Sequence, residues 1–359
     1  PEELATLPGV AEIITDKREL PDLLGRFGVV DIPNGISRFG DRQRAYVKVQ
    51  DGCLLRCGYC VIPYVRPSMH SRPMQPILDE VQRLYANGYR EMVITGIHLG
   101  HYGVDWNFKK PKSEWTRLAD LVKAIVGLPG DFRVRLSSIE AAEVTRELLD
   151  VMRDHPDRVC PHLHICLQSG SDSVLRRMRR RGGVKRFIDR CQLANERLAQ
   201  PALTTDVIIG FPGETDREFA ETCETVRECG FSKIHIFPFS ARRGTQAAEL
   251  TDHVSKRVQS ERGKELAAVE AELRNKYFRS LLGKPLQVLI ESPDRLAKGT
   301  VVGTSCRYAP VRLPSGDDRC GQFATVIAME LSDDGEFLRG HAASPQRHPH
   351  EARPVVEDR

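Results

Sequence analysis

Between residues 45 and 237, short runs of alternating apolar and polar residues are separated by longer stretches with helical spacing. The alternating runs predict strands over Ala45–Gln50, Glu91–Thr95, Phe132–Ser137, His162–Gln168, Leu203–Ile209 and Lys233–Phe237. Helices are expected between them. One, near Pro76–Asn87, places Ile77, Val81, Leu84 and Tyr85 on one face and stops at Gly88. Three more carry Leu118, Val122 and Ile125; Val144, Leu148 and Met152; and Phe187, Ile188, Cys191 and Leu198. A fifth opens on the capping pair Thr215 and Glu218 and ends at Gly230. Strands alternating with helices imply an α/β fold with a parallel sheet.

Strand side chains alternate between faces, and here the two faces differ. One parity is apolar: Val47 and Val49, Val134 and Leu136, Leu163, Ile165 and Leu167, Val207 and Ile209, Ile234 and Ile236. The other carries Lys48, Gln50, Arg133, Arg135, Ser137, His162, His164, Cys166, Gln168, Thr204, Asp206 and His235. A sheet buried on both faces would read as continuous apolar runs, and a closed eight-stranded barrel would fill its interior with branched apolar side chains. The expectation is therefore an incomplete barrel of about six strands, helices outside, with a wet cavity on its concave side.

Residues 1–30 look like the end of an upstream α/β unit, and Pro33-Asn34-Gly35 marks a turn. After a core over 31–250, residues 251–282 read as a connecting helix with Val254, Val258, Leu266, Val269, Leu273 and Tyr277 on one side. Five β-rich runs follow within 283–342: Leu286–Glu291, Thr300–Val302, Tyr308–Leu313, Gln322–Met329 and Phe337–His341. They predict a small all-β barrel. Residues 343–359 have little to bury and are expected to be disordered.

The 359 residues are 40% hydrophobic and 28% charged, with no apolar run of membrane-spanning length. The chain begins at Pro1, inside a structured pattern, which reads as a fragment or a processed form. It carries no signal peptide, so a cytoplasmic location is expected. In that setting ten cysteines are metal ligands or free thiols rather than disulfides. A net charge of +4 permits a nucleic-acid partner without demanding one.

The chemistry concentrates in Cys53-Leu54-Leu55-Arg56-Cys57-Gly58-Tyr59-Cys60, directly after the first strand. Three thiolates at this spacing can hold three irons of a cubane and leave the fourth open, since no fourth cysteine follows at ferredoxin spacing. A zinc loop or three structural thiols are the alternatives, but no second knuckle accompanies the loop. The loop resembles the signature of the radical S-adenosylmethionine enzymes. Lys48–Cys53, Ile62-Pro63, Arg66, Ser71-Arg72, Leu167–Asp172, Gly210–Thr215 and Phe237–Thr245 resemble its methylthiotransferase branch, with Pro67 departing from the usual Gly. Thr95–Gly100 and Arg135–Glu140 are most similar to the enzymes acting on N6-threonylcarbamoyladenosine at tRNA position 37. The ribosomal-protein aspartate branch is the alternative, as is an iron–sulfur RNA binder without turnover. The β-rich unit resembles the family's RNA-binding TRAM domain.

The resemblance implies a 4Fe-4S cluster on Cys53, Cys57 and Cys60, S-adenosylmethionine as cosubstrate, tRNA as partner and an electron donor such as flavodoxin or ferredoxin. A membrane is not involved. It also implies a second 4Fe-4S cluster on three cysteines of an N-terminal domain, and no cysteine precedes Cys53 here. Tyr59, Thr95, Gly96, Ser138, Glu140, Gln168, Asp206 and Phe237 lie in the loop or toward the carboxyl ends of strands and are the candidate S-adenosylmethionine contacts. Glu140 could pair with the ammonium or simply face a helix start. Arg176, Arg177, Arg180, Arg181, Arg242 and Arg243 are the candidate phosphate contacts. His162, His164 and Cys166 share a strand face and mimic a metal set; with the ligand count incomplete, paired histidines are the preferred reading. Cys160, Cys191, Cys223, Cys229, Cys306 and Cys320 lack metal spacing and are expected to be free thiols.

Overall fold

The computed structural model of the chain describes residues 2–15, 19–29, 36–40, 42–314 and 319–343. The expected turn at Pro33-Asn34-Gly35 and the expected tail beyond residue 343 lie outside them. Two compact units are present, Pro1–Ile36 and Ser37–Arg359. In the first, helices α1 (Glu2–Ala5) and α2 (Leu20–Arg26) are short, and α2 buries none of its residues. Arg26 pairs with Glu12 at 2.5 Å on its surface.

The second unit holds everything from the first strand to the β-barrel. Its chain order runs β1 (Arg44–Asp51), α3 (Ile62–Val65), β2 (His70–Ser71), α4 (Met74–Ala86), β3 (Glu91–Gly96), α5 (Leu118–Val126), β4 (Arg133–Leu136), β5 (Ser138–Ile139), α6 (Arg146–Asp154), β6 (His162–Ile165), α7 (Asp172–Arg177), α8 (Val184–Arg197), β7 (Ala202–Ile209), α9 (Asp216–Cys229), β8 (Lys233–Pro238) and α10 (Lys256–Ser280). Strands β2-β1-β3-β4 form one ladder and β5-β6-β7-β8 another. The two meet at Ser137, the single residue between β4 and β5, whose N–H still donates to the Ile94 carbonyl at 3.0 Å. Read through that break, six strand positions run parallel, with β2 added antiparallel at the edge. This is the incomplete barrel expected from the alternation.

The apolar parity packs outward. Val47, Val49, Met92, Ile94, Val134, Leu136, Leu163, Ile165, Val207 and Ile209 join one core with Ile77, Leu84, Leu121, Ile125, Leu149, Phe187, Phe219 and Leu266 of the helices. The capping pair of α9 forms as expected: Glu218 N–H donates to Thr215 Oγ1 at 3.3 Å, and Thr215 N–H donates to Glu218 Oε2 at 2.8 Å. Gly230 closes that helix in the left-handed region, φ 69°.

Five further strands, β9 (Pro285–Pro293), β10 (Thr300–Ser305), β11 (Pro310–Pro314), β12 (Phe323–Leu331) and β13 (Leu338–Ala342), close into a barrel in the order β10-β11-β13-β12-β9. Leu286, Val288, Ile290, Val301, Val311, Leu313, Val326 and Leu338 fill it, and Phe278 and Leu281 from the end of α10 extend the same cluster.

The expected wet cavity is corrected in its lower half. Arg133 and Arg135 are buried, and Glu91 between them is fully enclosed. Arg133 Nη2 lies 2.6 Å and Arg135 Nε 2.7 Å from Glu91. The small barrel supplies their remaining acceptors. Arg133 donates to the Gln287 carbonyl at 2.7 Å and the Thr304 carbonyl at 3.0 Å, and Arg135 donates to the Ser305 carbonyl at 3.0 Å. Arg44 reaches Glu291 at 2.5 Å and Thr304 Oγ1 at 2.7 Å. His162 stacks on Tyr308 with ring centroids 4.5 Å apart. A charged layer can be dry when every charge is paired and hydrogen bonded. Strand alternation alone cannot tell such a layer from a solvated one.

Candidate active site

The upper half of the concave side stays open, and the cysteine loop lies across it. The loop leaves β1 through Gly52, which holds φ +78° with its Cα packed against Ser68. A Cβ there would overlap the Ser68 carbonyl oxygen. Two backbone bonds clamp the middle of the loop from different elements: Gly58 N–H to the Met178 carbonyl and Ala247 N–H to the Gly58 carbonyl, both 2.8 Å. The loop shape is therefore set by the main chain, leaving the thiols free to bind. Gly52→Ala should strain this entry by at least about 1 kcal/mol and displace the first thiol. The expected outcome is lost cluster iron with the fold retained, read by iron assay beside a thermal melt.

Cys53, Cys57 and Cys60 line a cavity of about 150 Å³ together with Tyr59, Ser138, Glu140, Gln168 and Arg180. Among the described residues they are not a group with ligand atoms within 4.8 Å of one another. The half-buried thiols on one loop suit a cluster in which each thiolate takes its own iron.

Gln50, His98 and Glu143 organise this space, and of these only Gln50 belongs to the polar parity of the strands. Gln50 is fully buried; its amide donates to the Asp51 and Gly52 carbonyls, both at 2.9 Å, and its oxygen accepts from His98 N–H at 2.8 Å. Gly96 lies close against Gln50: a Cβ there would come 3.0 Å from the Gln50 side chain and press on it. His98 sits with Nδ1 3.6 Å from Cys53 Sγ and Nε2 2.8 Å from Glu143 Oε1. Burial opposes charging of His98, but the bonds to Cys53 and Glu143 outweigh it and lift its pKa to about 9. Burial likewise works against the Cys53 thiolate, yet its pKa is lowered, chiefly by the His98 contact. For Cys57 and Cys60 burial dominates and their pKa values are raised. His98 was visible only inside the Thr95–Gly100 resemblance, and no periodicity marks Glu143.

The structure distributes the other sequence candidates as follows. Thr95 and Gly96 are half-buried at the end of β3, Ser138 is exposed beside the cavity, and Gln168 turns into it at φ 70°. Asp206 is half-buried on β7, with His164 Nε2 3.2 Å away. Phe237 is exposed at the end of β8, away from the thiols' cavity lining. Glu140, read in the sequence as an ammonium partner or a helix-start carboxylate, is paired with Arg180 through both carboxylate oxygens, at 2.9 and 2.5 Å.

The arginine set separates in the same way. Arg180 is committed to Glu140 and the Cys166 carbonyl, and Arg177 to both oxygens of Glu218 at 2.8 and 2.9 Å. Arg176, Arg181, Arg242 and Arg243 are exposed. Arg181 joins Arg179 and Arg186 around a larger cavity of about 470 Å³, which opens beside Cys57 and His98. The ten cysteines are all free, with Cys160, Cys191, Cys223 and Cys229 buried.

Half-barrel and three-thiol loop together define a radical S-adenosylmethionine protein, and residues 47–226 match the family model of the radical SAM superfamily. The comparison with curated proteins narrows this. The chain is 34% identical over 364 residues to the threonylcarbamoyladenosine tRNA methylthiotransferase MtaB of Bacillus subtilis, covering 94% of this chain and 78% of that one. It is 38% identical over 298 residues to the MtaB of Thermotoga maritima (83% and 66%). To the tRNA-2-methylthio-N(6)-dimethylallyladenosine synthase of Akkermansia muciniphila it is 31% identical over 308 residues (86% and 66%). The chain belongs to the radical S-adenosylmethionine tRNA methylthiotransferase family. It spans just under two thirds of the length of the last two relatives. No helix among the described residues is long and apolar enough to cross a membrane.

Proposed function

We propose that this chain carries the radical-generating and RNA-contacting part of a tRNA methylthiotransferase acting at C2 of N6-threonylcarbamoyladenosine at position 37. The observation that carries the reading is the 470 Å³ cavity beside Cys57, rimmed by Arg179, Arg181 and Arg186. Its acids are already occupied, Glu140 by Arg180 and Glu143 by His98. A cavity with surplus cations suits a nucleoside that brings a carboxylate and phosphates. An isopentenyl group would bring no charge to answer those arginines.

Cys53, Cys57 and Cys60 would hold the cluster, which when bound would supply the one-electron reduction of S-adenosylmethionine. The chain's own residues hold that chemistry in place. Gln50 ties the loop entry to the 97–98 segment, and Glu143 fixes the His98 ring against Cys53. The Arg180–Glu140 pair closes the floor between the loop and β6. The exposed arginines and the small barrel are the surfaces for tRNA. Nucleosides from a strain lacking the gene test the reading. The expected result is loss of 2-methylthio-N6-threonylcarbamoyladenosine alone, with the unmethylthiolated nucleoside accumulating. Loss of the isopentenyl-derived product instead would transfer the assignment to the other tRNA branch.

A further inference from the structure

His162, His164 and Cys166 share a face in the sequence, but they do not converge in the fold. His162 points down to Thr204, Nε2 to Oγ1 3.0 Å, and stacks on Tyr308. Its place is taken from the neighbouring strand. His164, Cys166 and Asp206 each present one donor atom, and these atoms lie within 4.8 Å of one another. We propose that His164, Cys166 and Asp206 form a binding site for a divalent zinc-type cation, distinct from the cluster on Cys53, Cys57 and Cys60.

Four observations support it. The donors are an imidazole, a thiol and a carboxylate, the set zinc takes in sites with an open fourth position. Thr204 Oγ1 lies 3.0 Å from His164 Nδ1, the outer hydrogen bond that orients metal-binding imidazoles. That leaves Nε2 as the coordinating atom. Nε2 is buried and lacks a hydrogen bond: it sits 3.2 Å from Asp206 Oδ2, yet the contact is not aligned as a bond. Two donors about 2.0 Å from a tetrahedral ion stand about 3.3 Å apart, so this pair already has the spacing of shared ligation. Finally, the donors sit on β6, β7 and the residue just past β6, so the scaffold is a pair of adjacent strands rather than a mobile loop.

Of the three donors, Cys166 also lines the cavity with Cys57, Glu140 and Gln168, which gives the site a side open to an incoming group. A cation there would act as a Lewis acid toward an oxygen or nitrogen of whatever enters. The inference does not depend on which nucleoside is the substrate.

The test is metal analysis of the full chain, given one equivalent of zinc before anaerobic reconstitution of the cluster and then dialysed. About one zinc per chain should remain beside the cluster irons. Cys166→Ala and His164→Gln should each bring zinc to background while the iron content stays, and that iron reports an intact fold in the same sample. Should Cys166→Ala fail to hold iron, the isosteric Cys166→Ser takes its place. Cobalt in place of zinc should give a thiolate-to-metal charge-transfer band that the Cys166 variant lacks. No retained zinc in the parent chain, or full zinc in either variant that keeps its iron, overturns the site.

Discussion

Cys57→Ala should leave the chain folded and empty. Anaerobically reconstituted parent protein should hold about four irons at the three-thiolate site, and the variant close to none. The fold should survive because the loop does not rely on this thiol. Gly58 is held by main-chain bonds to Met178 and Ala247, and Gln50 secures the loop entry. The core under the loop is built from β1, β3 and their helices, without any of the three cysteines. Iron content, the cluster absorbance and 5′-deoxyadenosine formation should therefore fall together while the circular dichroism spectrum stays. Unchanged iron in the variant would remove the cluster from this loop.

Glu91→Gln is expected to be among the most damaging single substitutions in the chain. Glu91 is fully enclosed, its two oxygens held by Arg133 and Arg135, with Arg44 3.8 Å away. Burial would push its pKa up, but the arginines overcome this and hold it well below the usual carboxylate range. Removing the anion leaves two buried guanidiniums with only neutral acceptors, the barrel carbonyls, the Gln287 side chain and the new amide oxygen, and breaking a buried pair in this way costs about 3–5 kcal/mol. A urea melt should show the loss as a lowered midpoint. The sign of the pH dependence follows. A depressed carboxylate contributes stability above its unfolded pKa and loses it as pH falls through the folded value. That value lies below the ordinary range, so mild acid should not open this layer. A midpoint within about 0.5 kcal/mol of the parent would show that the arginines find other partners.

The sequence showed the architecture well because period-two alternation and helix ends are local signals. All six parallel strand positions and all five barrel strands lie where the alternation puts them, within a few residues. The two-residue strand β2 and the break at Ser137 escaped it, since neither has enough residues to show a period. The polar parity was legible as polar, but its fate was not. Arg133 and Arg135 look like cavity residues until the carbonyls of Gln287, Thr304 and Ser305, about 150 to 170 positions later, cover them. Shorter separations, 41 and 40 residues, are still enough to hide the pairing of Arg177 with Glu218 and of Arg180 with Glu140. The three thiols were legible because their spacing is contained in one loop. The link from Gln50 through His98 to Glu143 was not, because it is a hydrogen-bonded chain across three separate segments.

The guanidinium layer between the half-barrel and the small barrel has a thermodynamic corollary. Each part satisfies polar groups that the other has buried, so neither can lose its structure without stranding charge in its neighbour. Melting should accordingly be cooperative across residues 37–343. A calorimetric trace should show one endotherm, with van't Hoff and calorimetric enthalpies in agreement. The part that would grip RNA is thereby held at a fixed reach and angle from the radical chemistry, as a ruler rather than a tether.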